Sequence, residues 1–176
     1  MTSERAAALI AAFRSARMQG EESAEKIEIL HELEQLDEPE VTRFLASIVG
    51  DANEYDLARI EALKNLEMRR LGRDESREFV ARVIQRVLAK DEDDQVRIYA
   101  ARSLANFTDV PGVLAVAGAL VLDDDEDDDV RHNAFFALER SSPTEEAIDL
   151  ITKCLTDPEF KDAAARVLAK WHGLGV

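Results

Sequence analysis

Cysteine is all but absent from this chain. Cys154 stands alone, so no internal disulfide can form, and the composition fits a reducing, cytoplasmic setting. Glycine (7) and proline (4) are scarce among 176 residues, whereas alanine, leucine, glutamate and arginine abound, a mix that favours helices over strands. Long apolar runs are missing. The longest uncharged stretch, Val110 to Leu122, contains Pro111, Gly112 and Gly118 and is too short to cross a bilayer. Ala6 to Phe13 is apolar but too short for a signal peptide, and Arg14 and Arg17 follow it without a cleavage-like ending. Basic charge is in deficit: 22 Lys and Arg against 37 Asp and Glu leave a net charge of -15. Such a surface repels nucleic-acid phosphates and anionic membranes and attracts basic proteins.

The motifs of common chemistries are lacking too. There is no Gly-x-Ser-x-Gly elbow, no phosphate-binding glycine loop and no Cys/His/Asn set. His31, His132 and His172 lie on separate segments without a second ligand at helical spacing, so no zinc site is expected. The acidic run at 123–129 lacks the glycine turn and closing glutamate of a calcium loop. Paired carboxylates such as Glu28 and Glu32 are no more than this composition predicts. No catalytic residue, cofactor or metal is assigned.

What is present is helical periodicity nearly everywhere. The spacing predicts helices over 3–18, 23–36, 39–49, 54–70, 75–89, 94–106, 111–122, 128–140, 144–155 and 158–171. Breakers separate them at Gly20, Asp37 to Pro39, Gly50-Asp51, Gly72, Asp91 to Asp94, Pro111-Gly112, Asp123 to Asp129, Ser141 to Pro143 and Asp157-Pro158. No segment alternates with a period of two, so an all-α chain is expected.

The chain also resembles itself. Val96, Arg97, Ala100 and Leu104 match Val130, Arg131, Ala134 and Leu138 at a shift of 34 residues throughout. A turn and a second apolar helix follow each copy. Weaker copies lie at 55–63 and 160–168, and 23–49 reads as a degenerate pair. Taking Leu63, Leu104, Leu138 and Leu168 as equivalent gives spacings of 41, 34 and 30. Neither helix of such a pair can bury its apolar stripe alone, so pairs stack and share a core.

The string Asp129, Val130, Arg131, Ala134, Ala137, Leu138 resembles the first helix of a HEAT-like repeat, and 94–104 fits with Ser103 in place of the second alanine. The resemblance implies an all-α, right-handed α-solenoid (α–α superhelix) of about four to five helical hairpins. It implies one repeat domain over 1–176, with degenerate repeats or a cap over 1–50, the best repeats over 51–157 and a capping helix over 158–176, closed by Trp171. It further implies that Arg97 and Arg131 pair with acids of neighbouring loops. The copy at 55–63 is read with Asp56 at that place, and the last copy with Lys161.

The loudest local signal is acidic. Across 91–129 twelve acids face only Arg97 and Arg102. One reading is a solvated loop whose last acids cap the helix at 128. The other is a docking surface for a basic partner, with Asp93, Asp94, Asp123, Asp124, Asp125, Glu126, Asp127 and Asp128 as contacts and both clusters on one edge of the stack. Tyr99, at the place equivalent to Asn133 and exposed by its register, is added as an aromatic anchor. Cys154 is expected to be a buried small hydrophobe, and one ring of Phe135-Phe136 to join the core. The function expected is non-enzymatic protein binding by a monomer, with a basic protein as partner and neither nucleic acid nor membrane. The sharpest form is an immunity protein or antitoxin neutralising a basic toxin. The alternatives are an adaptor or scaffold subunit of a larger assembly, or an enzyme subunit resembling the HEAT-repeat bilin lyases.

Overall fold

The computed structural model describes residues 3–16, 24–69, 71, 75–90 and 93–173. The turns expected at Gly20, Gly72 and Asp91 lie outside them. Among the described residues there are ten α-helices and no strand: α1 (Glu4–Ser15), α2 (Ala24–Glu34), α3 (Pro39–Val49), α4 (Asp56–Met68), α5 (Glu75–Lys90), α6 (Asp94–Ser103), α7 (Val113–Val121), α8 (Asp128–Arg140), α9 (Glu145–Lys153) and α10 (Lys161–Gly173). Short 3-10 turns extend α6 over Leu104–Asn106 and α9 over Cys154–Thr156. The chain forms two compact units, Met1–Tyr99 and Ala100–Val176.

Local chemistry sets the helix ends. Pro39 opens α3, where a missing N–H costs nothing. Thr144 caps α9 through its hydroxyl, which accepts from Ala147 N at 3.2 Å. Gly112, at φ 83°, turns the chain into α7.

In the N-terminal unit like packs on like: α2 lies on α4, α3 on α5, and α3 also meets α4. Helix α1 covers α2 and α3. The Ser3 N–H and hydroxyl both donate to Glu38, at 2.7 and 2.6 Å, and these bonds hold the Glu38 carboxyl below its usual pKa. Phe13 then meets Phe44 edge-on, ring centroids 5.3 Å apart. In the C-terminal unit α7 packs on α8 and α9, and α10 packs on α9. Phe135 is buried and Phe136 is not. Phe135 stacks on Phe160 at 5.0 Å, and Trp171 is buried on α10.

The first helix of each hairpin carries one code. A polar residue is followed by apolar residues three, four and seven positions on, which is one helix face. In α8 these are Arg131, Ala134, Phe135 and Leu138; in α6 and its extension, Arg97, Ala100, Ala101 and Leu104; in α4, Arg59, Ala62, Leu63 and Leu66; in α2, Lys26, Ile29, Leu30 and Leu33. Every apolar member is buried.

This corrects the register read from sequence for 55–63. The residue equivalent to Arg131 is Arg59, not Asp56, and the counterpart of Leu138 is Leu66, not Leu63. The physical reason is a side-chain clamp. Arg59 Nε and Nη2 donate to the carbonyl of Val49 at 3.2 and 3.1 Å. Arg131 Nε and Nη2 donate to that of Val121, both at 3.1 Å. Each guanidinium satisfies a carbonyl that the end of the preceding helix leaves open. The repeat spacings from Lys26 onward are therefore 33, 38 and 34 residues. On α10 Lys161 stands at the matching place and is exposed.

Candidate functional site

The acidic segment joins α7 to α8 in the C-terminal unit, and its turn divides the acids into two groups. Asp123 accepts from Asp125 N at 3.1 Å through its side chain and from Glu126 N at 3.2 Å through its carbonyl, which closes the turn. Glu126 Oε1 accepts from Asp127 N at 3.0 Å. Asp127 Oδ1 caps α8, accepting from Asp129 N and Val130 N at 2.9 and 3.2 Å. Asp123, Glu126 and Asp127 thus build the loop.

Asp124, Asp125 and Asp128 are exposed around it. Asp124 lies 3.7 Å from Arg131 with 95% of its side chain in water, so that contact adds little. Asp128 and Asp129 sit in the first turn of α8, where the positive end of the helix eases their mutual repulsion. The cap expected at the end of the acidic run is made by Asp127, with Asp128 and Asp129 following it in the first turn of α8.

Behind the loop Arg131 is the hub. Besides its clamp on Val121 it donates to Asp157 and to Glu159, the latter at 3.2 Å, and its guanidinium lies 5.2 Å over the Phe160 ring. The expected pairing of Arg131 with loop acids is present. In the N-terminal unit Lys26 plays the matching part, donating to both oxygens of Glu54 at 2.6 and 2.7 Å. Both pairs link residues 28 positions apart. Lys26, Glu54 and Arg59 were not singled out in the sequence. A signal for the arginines was present: a valine stands ten residues before Arg59, Arg97 and Arg131 alike.

The other candidate contacts lie in the N-terminal unit. Asp93 caps α6, accepting from Val96 N at 2.8 Å, and Asp94 is exposed in the first turn. Tyr99 is half-buried, with Lys64 on α4 over its ring at 5.4 Å. Asp91, counted with the same cluster, is outside the described residues, as is Glu92.

A cleft of about 500 Å³ opens where α7 and α9 begin, lined by Thr108, Asp109, Ser142, Thr144, Glu145 and Glu146. It is a second acidic feature of the C-terminal unit. Among the described residues no group of three or more His, Cys, Asp or Glu is placed to hold a metal ion. None of their helices is long and apolar enough to cross a membrane. Cys154 is buried, and burial, with Asp157 nearby, pushes its thiol up to about 11, leaving little nucleophilic thiolate at neutral pH.

A family model described as HEAT repeats matches residues 81–169, just over half of the chain. No curated protein and no solved structure matches the chain.

Proposed function

The chain belongs to the HEAT-repeat family, and from that premise we propose that it holds a basic partner protein through the exposed carboxylates of Asp124, Asp125 and Asp128. Repeats of this kind suggest a protein-interaction or scaffold module, since stacked hairpins present rigid side chains over an extended surface. The observation that carries the finer reading is the division of labour in the α7–α8 loop. Asp123, Glu126 and Asp127 fold it through hydrogen bonds to its backbone, while Asp124 and Asp125 are exposed in the turn and Asp128 and Asp129 in the first turn of α8. Seven consecutive acids cost stability through mutual repulsion. A cationic partner recovers that energy and is steered in by the field of a chain carrying -15.

The specific form proposed is a stoichiometric inhibitor, an immunity protein or antitoxin whose carboxylates stand in for the phosphates a basic toxin binds. An adaptor within a larger assembly is the second reading, favoured by the family itself.

The test is capture of binding proteins with the wild-type chain and with the Asp124→Asn/Asp125→Asn/Asp128→Asn variant, followed by identification of whatever the variant loses. The expected loss is a protein of net positive charge. A basic toxin among the lost proteins supports the inhibitor, and a basic subunit of an assembly supports the adaptor. Identical captures by both chains would refute the loop as the docking surface.

A further inference from the structure

The N-terminal unit carries a surface of the opposite sign. Helices α3 and α5 pack side by side and leave a groove of about 430 Å³ between them. Its floor is small: Gly50 ends α3, and a Cβ there would meet Val83 Cγ1 at 3.4 Å. Ala46 and Ala52 keep the rest shallow. Phe79 stands on the wall, 37% exposed, an aromatic that the fold has left partly in water. Arg86 lines the same groove.

The groove continues in both directions. Through Phe79 it joins a depression of about 340 Å³ lined by Arg43 and Arg82. Through Ser47 it joins one of about 280 Å³ that reaches Arg14 and Phe44. Arg14, Arg43, Arg82 and Arg86 are all exposed. Two of the three acids that line the track are paired with cations, and the third, Asp51, is exposed. Glu54 is held by Lys26 at 2.6 Å, Asp51 accepts from Asn53 N at 3.0 Å, and Glu78 lies 3.5 Å from Arg82. Helix α5 has four basic residues and two acidic ones, in a chain of net charge -15.

We propose that this groove docks an acidic amphipathic peptide segment of a partner protein, its apolar side chain against Phe79 and Val83 and its carboxylates on Arg43, Arg82 and Arg86. Arginine suits this role, because its planar fork matches a carboxylate and its stem covers apolar surface. An aromatic beside arginines is also the composition of binding hot spots. Charge complementarity selects the occupant. A nucleic acid longer than the arginine track would meet the field of a chain of net charge -15. A second copy of this chain would bring another -15. A short segment meets only the local field.

The test is selection of a displayed random library of peptides about twelve residues long on the full chain, followed by fluorescence-anisotropy titration of the enriched peptides. We expect a class of net negative peptides with a central leucine, isoleucine or phenylalanine. Their affinity should fall about tenfold or more in Arg82→Glu/Arg86→Glu, a loss of about 1.4 kcal/mol or more, and several-fold in Phe79→Ala. It should be unchanged in Asp124→Asn/Asp125→Asn/Asp128→Asn, which separates this surface from the acidic loop. Arg82→Gln/Arg86→Gln, with a circular dichroism spectrum matching wild type, guards against misfolding of the charge reversal. The proposal is overturned if no acidic class is enriched, if the arginine variants bind it as wild type does, or if a single-stranded oligonucleotide competes more strongly than the peptides. It is equally overturned if the wild-type chain self-associates through this face and the arginine variants abolish that.

Discussion

Arg59 in the N-terminal unit and Arg131 in the C-terminal unit grip a valine carbonyl ten residues upstream with the same two nitrogens. Arg131 also reaches Asp157 and Glu159. Lys26, at the corresponding place on α2, has a charge pair with Glu54 instead. A lysine presents a compact charge where an arginine presents a fork. What the repeats retain is therefore a polar position, buried at Lys26, Arg59 and Arg131 and half-buried at Arg97, with apolar residues three, four and seven further on. The residue type at that position varies. The two units also differ in where charge is exposed: free carboxylates on the α7–α8 loop in one, arginines along α3 and α5 in the other.

Removing the clamps tests that comparison most severely. Arg131→Ala strands the Val121 carbonyl and the Asp157 carboxylate, and should cost about 4 kcal/mol in denaturant unfolding. Arg59→Ala should cost about 3 kcal/mol, since it leaves the Val49 carbonyl without its donors in a buried site. Arg131→Lys should fall between wild type and Arg131→Ala. If Arg59→Ala unfolds within about 0.5 kcal/mol of wild type, the two arginines are not equivalent and the corrected register of α4 fails.

A smaller effect should separate the acids of the loop. Asp127→Ala removes the α8 cap and should cost about 1 kcal/mol. The Asp124→Asn/Asp125→Asn/Asp128→Asn variant should stay within about 0.5 kcal/mol of wild type, as lost helix-end attraction and relieved repulsion offset one another. Equal losses in thermal unfolding would erase the division between acids that fold the loop and acids that face outward.

The smallest effects sharpen the comparison at two glycines that face the next helix. A Cβ at Gly118 would lie 2.4 Å from Leu150 Cδ2 and 3.2 Å from its Cγ, so the whole leucine must move. Gly118→Ala should destabilise by about 1 kcal/mol despite its better helix propensity. Gly50 is in the right-handed helical region, with ordinary contacts at 3.4 Å and beyond. Gly50→Ala should be neutral or stabilising by about 0.5 kcal/mol. A reversed order in melting temperature would show that α3–α5 packs more tightly than α7–α9.

Much of the fold was legible in residue spacing. Helix α8 starts and ends where its pattern does, because Asp127 caps it and the apolar face is unambiguous. The register of α4 was not legible from leucines, since Leu63 and Leu66 lie three apart on one face and both are buried. Only the carbonyl clamp, or the valine ten residues before each arginine, distinguishes them. The half-burial of Tyr99 was hard to read for a similar reason. Helical register gives the direction of a side chain but not its cover, and Lys64 comes from another helix. The acidic loop was visible as composition, whereas its partition depends on a turn that composition does not encode. The arginine track was invisible, because it exists only when α3 and α5 lie side by side.

The most direct test of the central claim is the salt dependence of affinity for the captured basic partner, titrated against the wild-type chain and the Asp124→Asn/Asp125→Asn/Asp128→Asn variant. The account predicts a dissociation constant that rises steeply with salt for wild type, and a weaker affinity with a much shallower dependence for the variant. Parallel salt curves at the same affinity would place the docking surface elsewhere on the molecule.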